Sequence, residues 1–273
     1  MNFLYVSDDS GVTWYDEDHF NLIVQPGNKN PLTPDTSEVL VNVAGKLGVI
    51  RFQSQIGGRS LVIPLALPFE DDQYNTQIKA REFARFWTDG KGRPKDIWLR
   101  FGYDPDVFYI VQKSTSLDIE RDLMLGFLQL ALFAAEPMKQ LREYAADIDF
   151  DSEITWYHDI RFDDEFVFTM TGNTTVEVNN FGTLDVSPVI QIVGSFTTLN
   201  ITIGDQTLIY SESLAAQTLT IDCAKFAAKV GITNKNNQVS GDWLELPVGV
   251  NEVAFAGTGM NFTVTFIFRP KFL

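Results

Sequence analysis

Phe262-Thr263-Val264-Thr265-Phe266-Ile267-Phe268 sets apolar side chains at every second position with threonines between them. That is the spacing of a strand that buries one face and wets the other. Upstream, Val176-Glu-Val178, Val189-Ile-Gln-Ile-Val193, Leu199-Asn-Ile201-Thr-Ile203 and Leu219-Thr-Ile221 repeat the pattern. The breaks between them are turn-formers: Asn179-Asn180, Gly204-Asp205, Asn234-Lys-Asn-Asn237 and Gly257-Thr-Gly259. Short alternating strands at this spacing predict an all-β sandwich or barrel for the second half of the chain.

The first half reads as a β domain carrying one helix. Gln25-Pro26-Gly27-Asn28-Lys29-Asn30-Pro31-Leu32-Thr33-Pro34 is an exposed loop by its Pro, Gly and Asn content. Leu61 to Leu67 is strand-like but contains Pro64, which suits a sheet edge or a bulge. Ala80, Phe83, Ala84 and Trp87 then fall at i, i+3, i+4 and i+7, one face of a helix capped by Asn75 or Thr76 and stopped at Asp89-Gly90. Ile97 to Phe101 and Val107 to Lys113 follow as strands. Leu123 to Ala134 is apolar on both strand faces and long enough for a helix; Gly126 tips the reading towards a buried strand. Glu136-Pro137 interrupts the pattern, which predicts two domains, 1–136 and 137–273, with 137–170 as an acidic connection.

Composition narrows the function. The 22 Phe against 5 Met imply a core packed by aromatics, which favour strands. Net charge is −15, and both halves are acidic, so neither carries the basic footprint that neutralising phosphates requires; sequence-specific nucleic-acid binding is not expected. The start of the sequence has no basic segment leading into an apolar run, so no secretory signal is read there. No apolar stretch approaches the ~20 residues of a membrane span. One cysteine, Cys223, closes an alternating run and is expected to face a core.

No constellation of catalytic residues stands out, and neither catalytic residue, metal nor cofactor is assigned. His19 and His158 lie in different predicted domains, and no local hydrolase or metalloprotease signature occurs. Gly57-Gly58-Arg59 lacks the ending of a phosphate loop and reads as a tight turn with an anchoring arginine. Asp147-x-Asp149-x-Asp151 opens like a calcium loop, but Ser152 stands where glycine is needed and His158 where a bidentate glutamate belongs. Trp156, Tyr157 and Trp243 are candidates for stacking sugars, against the plainer reading that they pack in a core or turn.

The order of these features resembles the distal tail proteins of long, flexible-tailed bacteriophages. In the first half it is the Gly57–Arg59 turn, the apolar strand after it, one amphipathic helix, two strands over 96–113 and a last apolar strand before Glu136-Pro137. In the second half, Val176-Glu-Val-Asn-Asn-Phe-Gly182 and Ser187-Pro-Val-Ile-Gln-Ile-Val-Gly194 come first. Leu219-Thr-Ile-Asp222, Lys235–Trp243, Leu246-Pro-Val-Gly-Val-Asn251 and Phe268-Arg-Pro-Lys-Phe272 follow in the family's order. Two stretches depart from it, the alanine-rich 224–230 and the acidic 147–165. The resemblance implies a mainly β fold: a sandwich-like, ring-forming N-terminal domain with one helix, and a galectin-like C-terminal sandwich. It implies a non-enzymatic homo-hexamer at the virion tail tip, made in the host bacterial cytoplasm. The implied partners are the major tail tube protein, the tail-associated lysin or hub protein and receptor-binding proteins. The second reading is a virion glycan-binding module that assists host recognition.

Overall fold

The structure is a computed structural model and describes residues 3–68, 73–121, 125–149, 152, 154, 160, 161 and 163–273. The chain is mainly β and divides into two compact units, 1–139 with Leu273 and 140–272.

Unit 1 begins with β1 (Leu4–Ser7), β2 (Tyr15–Asp16) and β3 (Ile23–Val24). Four short strands follow, β4 (Thr36–Ser37), β5 (Leu40–Asn42), β6 (Val49–Arg51) and β7 (Gln55–Ile56). Then come β8 (Arg59–Pro68), α1 (Gln73–Phe86), β9 (Ile97–Phe101), β10 (Asp104–Lys113), β11 (Ile119–Arg121) and β12 (Leu125–Ala134). The main strands run antiparallel in the order β2-β1-β9-β10-β12-β8-β3, with β11 also on β12. β10 belongs to two leaves: a register shift between Asp104 and Tyr109 bends it against β9, and its far end pairs Gln112 with Phe133 of β12. A bulge lets one strand serve two packed leaves. Between them lie Leu4, Val6, Leu61, Ile63, Leu65, Ile97, Leu99, Leu130 and Leu132, all buried.

Phe83 lies in α1 and Trp87 in the turn directly after it; both are buried in this core, and Phe20 packs edge to face on Phe83 and Phe86. The helix ends where the Asp89 carboxylate accepts the N–H groups of Lys91 and Arg93, both at 2.8 Å, folding the chain back.

Two strand expectations are corrected. β8 is not an edge strand, since it pairs with β12 over its whole length and with β3 on the other side. A strand residue's C=O and N–H point to the same side, and the Pro64 carbonyl accepts from Gln25, so its missing N–H faces the short β3 side and β12 loses nothing. β12 is a strand but is buried on one face only; Phe127 and Phe133 are exposed.

Unit 2 comprises β13 (Lys139–Leu141, reaching back one residue into unit 1), β14 (Val167–Met170), β15 (Thr174–Asn180), β16 (Val189–Phe196), β17 (Thr198–Ile203) and β18 (Gln206–Tyr210). It continues with β19 (Leu214–Asp222), β20 (Ala227–Val230), β21 (Thr233–Asn234), β22 (Val239–Gly241), β23 (Gly249–Thr258), β24 (Asn261–Ile267) and β25 (Lys271–Phe272). Two antiparallel sheets form, β14-β24-β16-β19-β20-β21 and β15-β23-β17-β18-β22. Their buried faces meet through Phe255 of β23, whose ring lies 6.2 Å from Phe262 and 6.3 Å from Phe266 of β24. Of the sandwich or barrel that the alternation predicts, the chain forms the sandwich. Gly194 sits at a bulge in β16 with φ 144°, and a Cβ there would lie 2.5 Å from the Asn261 carbonyl oxygen. Only glycine fits that position.

Asn180 joins the end of β15 to the loops beside it. Its side-chain amide donates to the carbonyls of Leu184 (2.9 Å) and Leu246 (3.0 Å), and its Oδ1 accepts from Gly182 N–H (3.1 Å). Near the C-terminal end of unit 2, the Arg269 guanidinium lies 3.9 Å from the centre of the Tyr144 ring and donates to the carbonyls of Leu141 and Arg142.

Candidate interaction surfaces

The segment from Asp35 to Gly57 leaves unit 1 as a two-stranded ribbon. Thr36 pairs with Ile56 and Ser37 with Gln55 at its base, and Leu40, Val41 and Asn42 pair with Arg51, Ile50 and Val49 further out. Gly45 and Gly48, both at positive φ, turn the tip. Glu38 and Arg51 close an ion pair at 2.6 Å across the ribbon. Apart from Ile50, whose side chain is half-buried, its large apolar side chains face solvent: Val39, Leu40, Val41, Val43, Val49, Phe52, Ile56 (62% exposed) and Leu47, which is fully exposed. A ribbon of two strands is marginal in water by itself, and this one carries the residues of a core without a core around them.

A second apolar surface lies on the outer face of β8 and β12. Ser60 faces Phe133, Val62 faces Ala131, Pro64 faces Gln129 and Ala66 faces Phe127 across the ladder. Of these, Pro64, Phe127, Gln129 and Ala131 border, with Gln25, Pro26 and the segment from Thr115 to Glu120, an open groove of about 820 Å³. The two-sided apolarity of β12, read from sequence as burial, is an uncovered face.

Of the residues nominated for sugar stacking, Trp156 and Tyr157 lie outside the described residues. Trp243 is half-buried in unit 2, and its ring meets Phe226 edge to face at 5.8 Å. Phe226 is 60% exposed and left-handed, with φ 53°, an uncommon conformation for a large side chain. Asn236 holds the turn by donating to the Phe226 carbonyl (2.9 Å) and accepting the Ala228 N–H (2.6 Å). Sequence reasoning marked 224–230 as a departure from the family pattern but did not connect Phe226 with Trp243, because their contact spans a long sequence separation.

Cys223 is buried, and burial pushes its thiol up to about 11, with the Asp222 and Glu245 carboxylates raising it further against a backbone hydrogen bond from Leu244. A thiol in that state is a poor nucleophile. His19 packs on Tyr15, with ring centroids 4.6 Å apart, while His158 lies outside the described residues. Asp149 is engaged locally by the Ser152 hydroxyl at 3.0 Å, and Asp151 also lies outside the described residues. No described helix is long and apolar enough to cross a membrane.

No protein family and no curated protein matches the sequence. Among solved structures, the chain is similar to the SPP1 Dit (gp 19.1) protein, described as a paradigm of the hub adsorption apparatus in phages infecting Gram-positive hosts. The similarity covers 100% of both chains with a TM-score of 0.71 at 14% identity, so the chain has the fold of a Dit protein from end to end. The phage P2 baseplate in its activated conformation with Ca matches at a TM-score of 0.41 and 8% identity over 96% of this chain and 98% of that one.

Proposed function

We propose that this chain is a structural adaptor at the tip of a phage tail, in which unit 1 assembles with copies of itself into a ring. The observation that carries the reading is the Asp35–Gly57 ribbon with its solvent-facing Leu40, Leu47, Val49 and Phe52. It is one apolar surface, and the outer face of β8 and β12 is a different one on the same chain. A contact between unlike surfaces repeats from copy to copy and, when the rotation closes, makes a ring. The Dit-like fold supports this reading, and the sequence resemblance sets the expected number at six.

In this reading the ring joins the tail tube to the tail-associated hub, unit 2 offers its sandwich to baseplate or receptor-binding proteins, and no catalytic residue is needed. A net charge of −15 suits a bore through which DNA passes without sticking. Native mass spectrometry at tens of micromolar, as an order of magnitude above typical weak-assembly constants, is expected to find hexamers. Replacing Leu40 and Leu47 by aspartate should return the protein to monomers while changing its melting free energy by less than about 0.5 kcal/mol, since both are surface sites. A wild type that stays monomeric at high concentration and binds neither tube nor hub protein refutes the adaptor.

The second reading, glycan binding in unit 2, is favoured by Phe226 being held at positive φ beside Trp243. Trp243→Ala should then abolish calorimetric binding of cell-wall saccharides without lowering the melting temperature by more than a few degrees. The adaptor reading expects no binding by either protein.

A further inference from the structure

The turn between β19 and β20 carries a large apolar side chain where the backbone disfavours one. Asp222 pairs with Ala227, so Cys223, Ala224, Lys225 and Phe226 form the connection. Its last residue, Phe226, is left-handed at φ 53° and 60% exposed. The left-handed position of a hairpin connection is ordinarily glycine or asparagine, because a Cβ there crowds the following carbonyl oxygen. Inside unit 2 the Phe226 ring meets the half-buried Trp243 edge to face, a contact that leaves most of the residue in water.

The turn is braced on every side. The Cys223 N–H donates to the Pro188 carbonyl at 3.1 Å and the Lys225 N–H to the Asp222 carboxylate at 3.0 Å. The Asn236 side chain holds the far end, donating to the Phe226 carbonyl and accepting the Ala228 N–H. The ring is therefore presented by a fixed backbone, which a partner need not order on binding. A strained residue that faces solvent from a braced segment points to a contact outside its own unit.

The geometry of the rings favours a protein over a glycan as that contact. The planes of Phe226 and Trp243 stand at 78° to each other, so they make no common flat platform for successive sugar rings. A single ring standing out of a hairpin turn fits a socket instead, as aromatic anchors in protein interfaces do. Lys225 covers the Asp222 carboxylate at the head of the turn, at 3.1 Å, so that charge is met within the chain and the contact needs an apolar socket with a polar rim. We propose that Phe226 is the anchor by which unit 2 docks another protein of the virion, whose surface offers such a socket, with Asn236 as the residue that positions the ring. The proposal rests on the adaptor reading, in which unit 2 meets baseplate or receptor-binding proteins, and names the residue that makes the contact.

Phe226→Asn in the full chain tests it, since asparagine suits the left-handed backbone and removes the ring. The variant should melt within about 2 °C of wild type or above it, because relief of strain offsets the lost contact with Trp243. A fall of about 5 °C or more makes Phe226 a cover for Trp243 and overturns the proposal. The binding probes are the purified hub, tail-tube and receptor-binding proteins of the same phage, each titrated by calorimetry against both forms. One of them should bind wild type and lose about thirtyfold in affinity to Phe226→Asn, the loss of an interface anchor, while both forms keep the same oligomeric state. Equal affinity for the two forms removes this inference and leaves the adaptor standing. A wild type that binds none of the three also overturns it, and takes the adaptor with it only when that wild type is monomeric. A cell-wall saccharide that binds wild type but not Phe226→Asn assigns the ring to sugar recognition and overturns the proposal as well.

Discussion

At the scale of single residues, a buried polar side chain that is held by specific partners has calculable consequences when it is removed. Asn180 satisfies two carbonyls and one N–H at once. Asn180→Ala strands all three and should destabilise unit 2 by about 3 kcal/mol in urea melts, since each abandoned buried group costs about 1 kcal/mol or more. Cys223 and Tyr210 make a pH prediction. Burial raises the Cys223 thiol to about 11, and burial followed by repulsion from Glu212 raises the Tyr210 hydroxyl to about 12. Both are acids whose neutral form the fold favours, so their contribution is complete below the unfolded values near 9 and 10. It is lost as pH climbs towards 11 and 12. Stability should therefore fall above pH 9, and Cys223→Ala should flatten the first part of that fall in melts taken from pH 8 to 11.

At the scale of elements, burial separates those that support the fold from those that reach outward. The C-terminal end of α1 is anchored in unit 1 by Trp87, the residue that follows it, which is fully buried against Phe83 and Phe86. Trp87→Ala should cost about 4 kcal/mol of unit 1 stability, measured by calorimetry, as large-to-small core changes do. The ribbon of β4 to β7 predicts the opposite: its exposed leucines and valines contribute little to the monomer and are expected to act in assembly. Its signal was present in the sequence as Val39–Val43 and Val49–Phe52 around Gly45-Lys-Leu-Gly48. Nothing local distinguishes an apolar pair of strands in a core from one in water.

At the scale of the whole molecule, each unit buries apolar side chains of its own, among them Leu61 and Trp87 in unit 1 and Val253 and Phe255 in unit 2, so each is expected to unfold as its own transition. A fragment spanning 137–273 should fold alone, with a cooperative melt and dispersed amide resonances; a molten, aggregating fragment would refute this.

Strand positions, the one helix, the turn glycines and the sandwich of unit 2 were legible in the sequence because side-chain direction and turn geometry depend on nearest neighbours along the chain. The order of these elements also carried the resemblance that the end-to-end Dit-like fold supports. What the sequence could not determine is which apolar faces find a partner. Pro64 lies inside a sheet, β12 is covered on one side only, the ribbon is bare, and Phe226 meets Trp243. Each of these depends on what packs across from a residue, often tens of positions away, and that is decided only when the chain closes on itself.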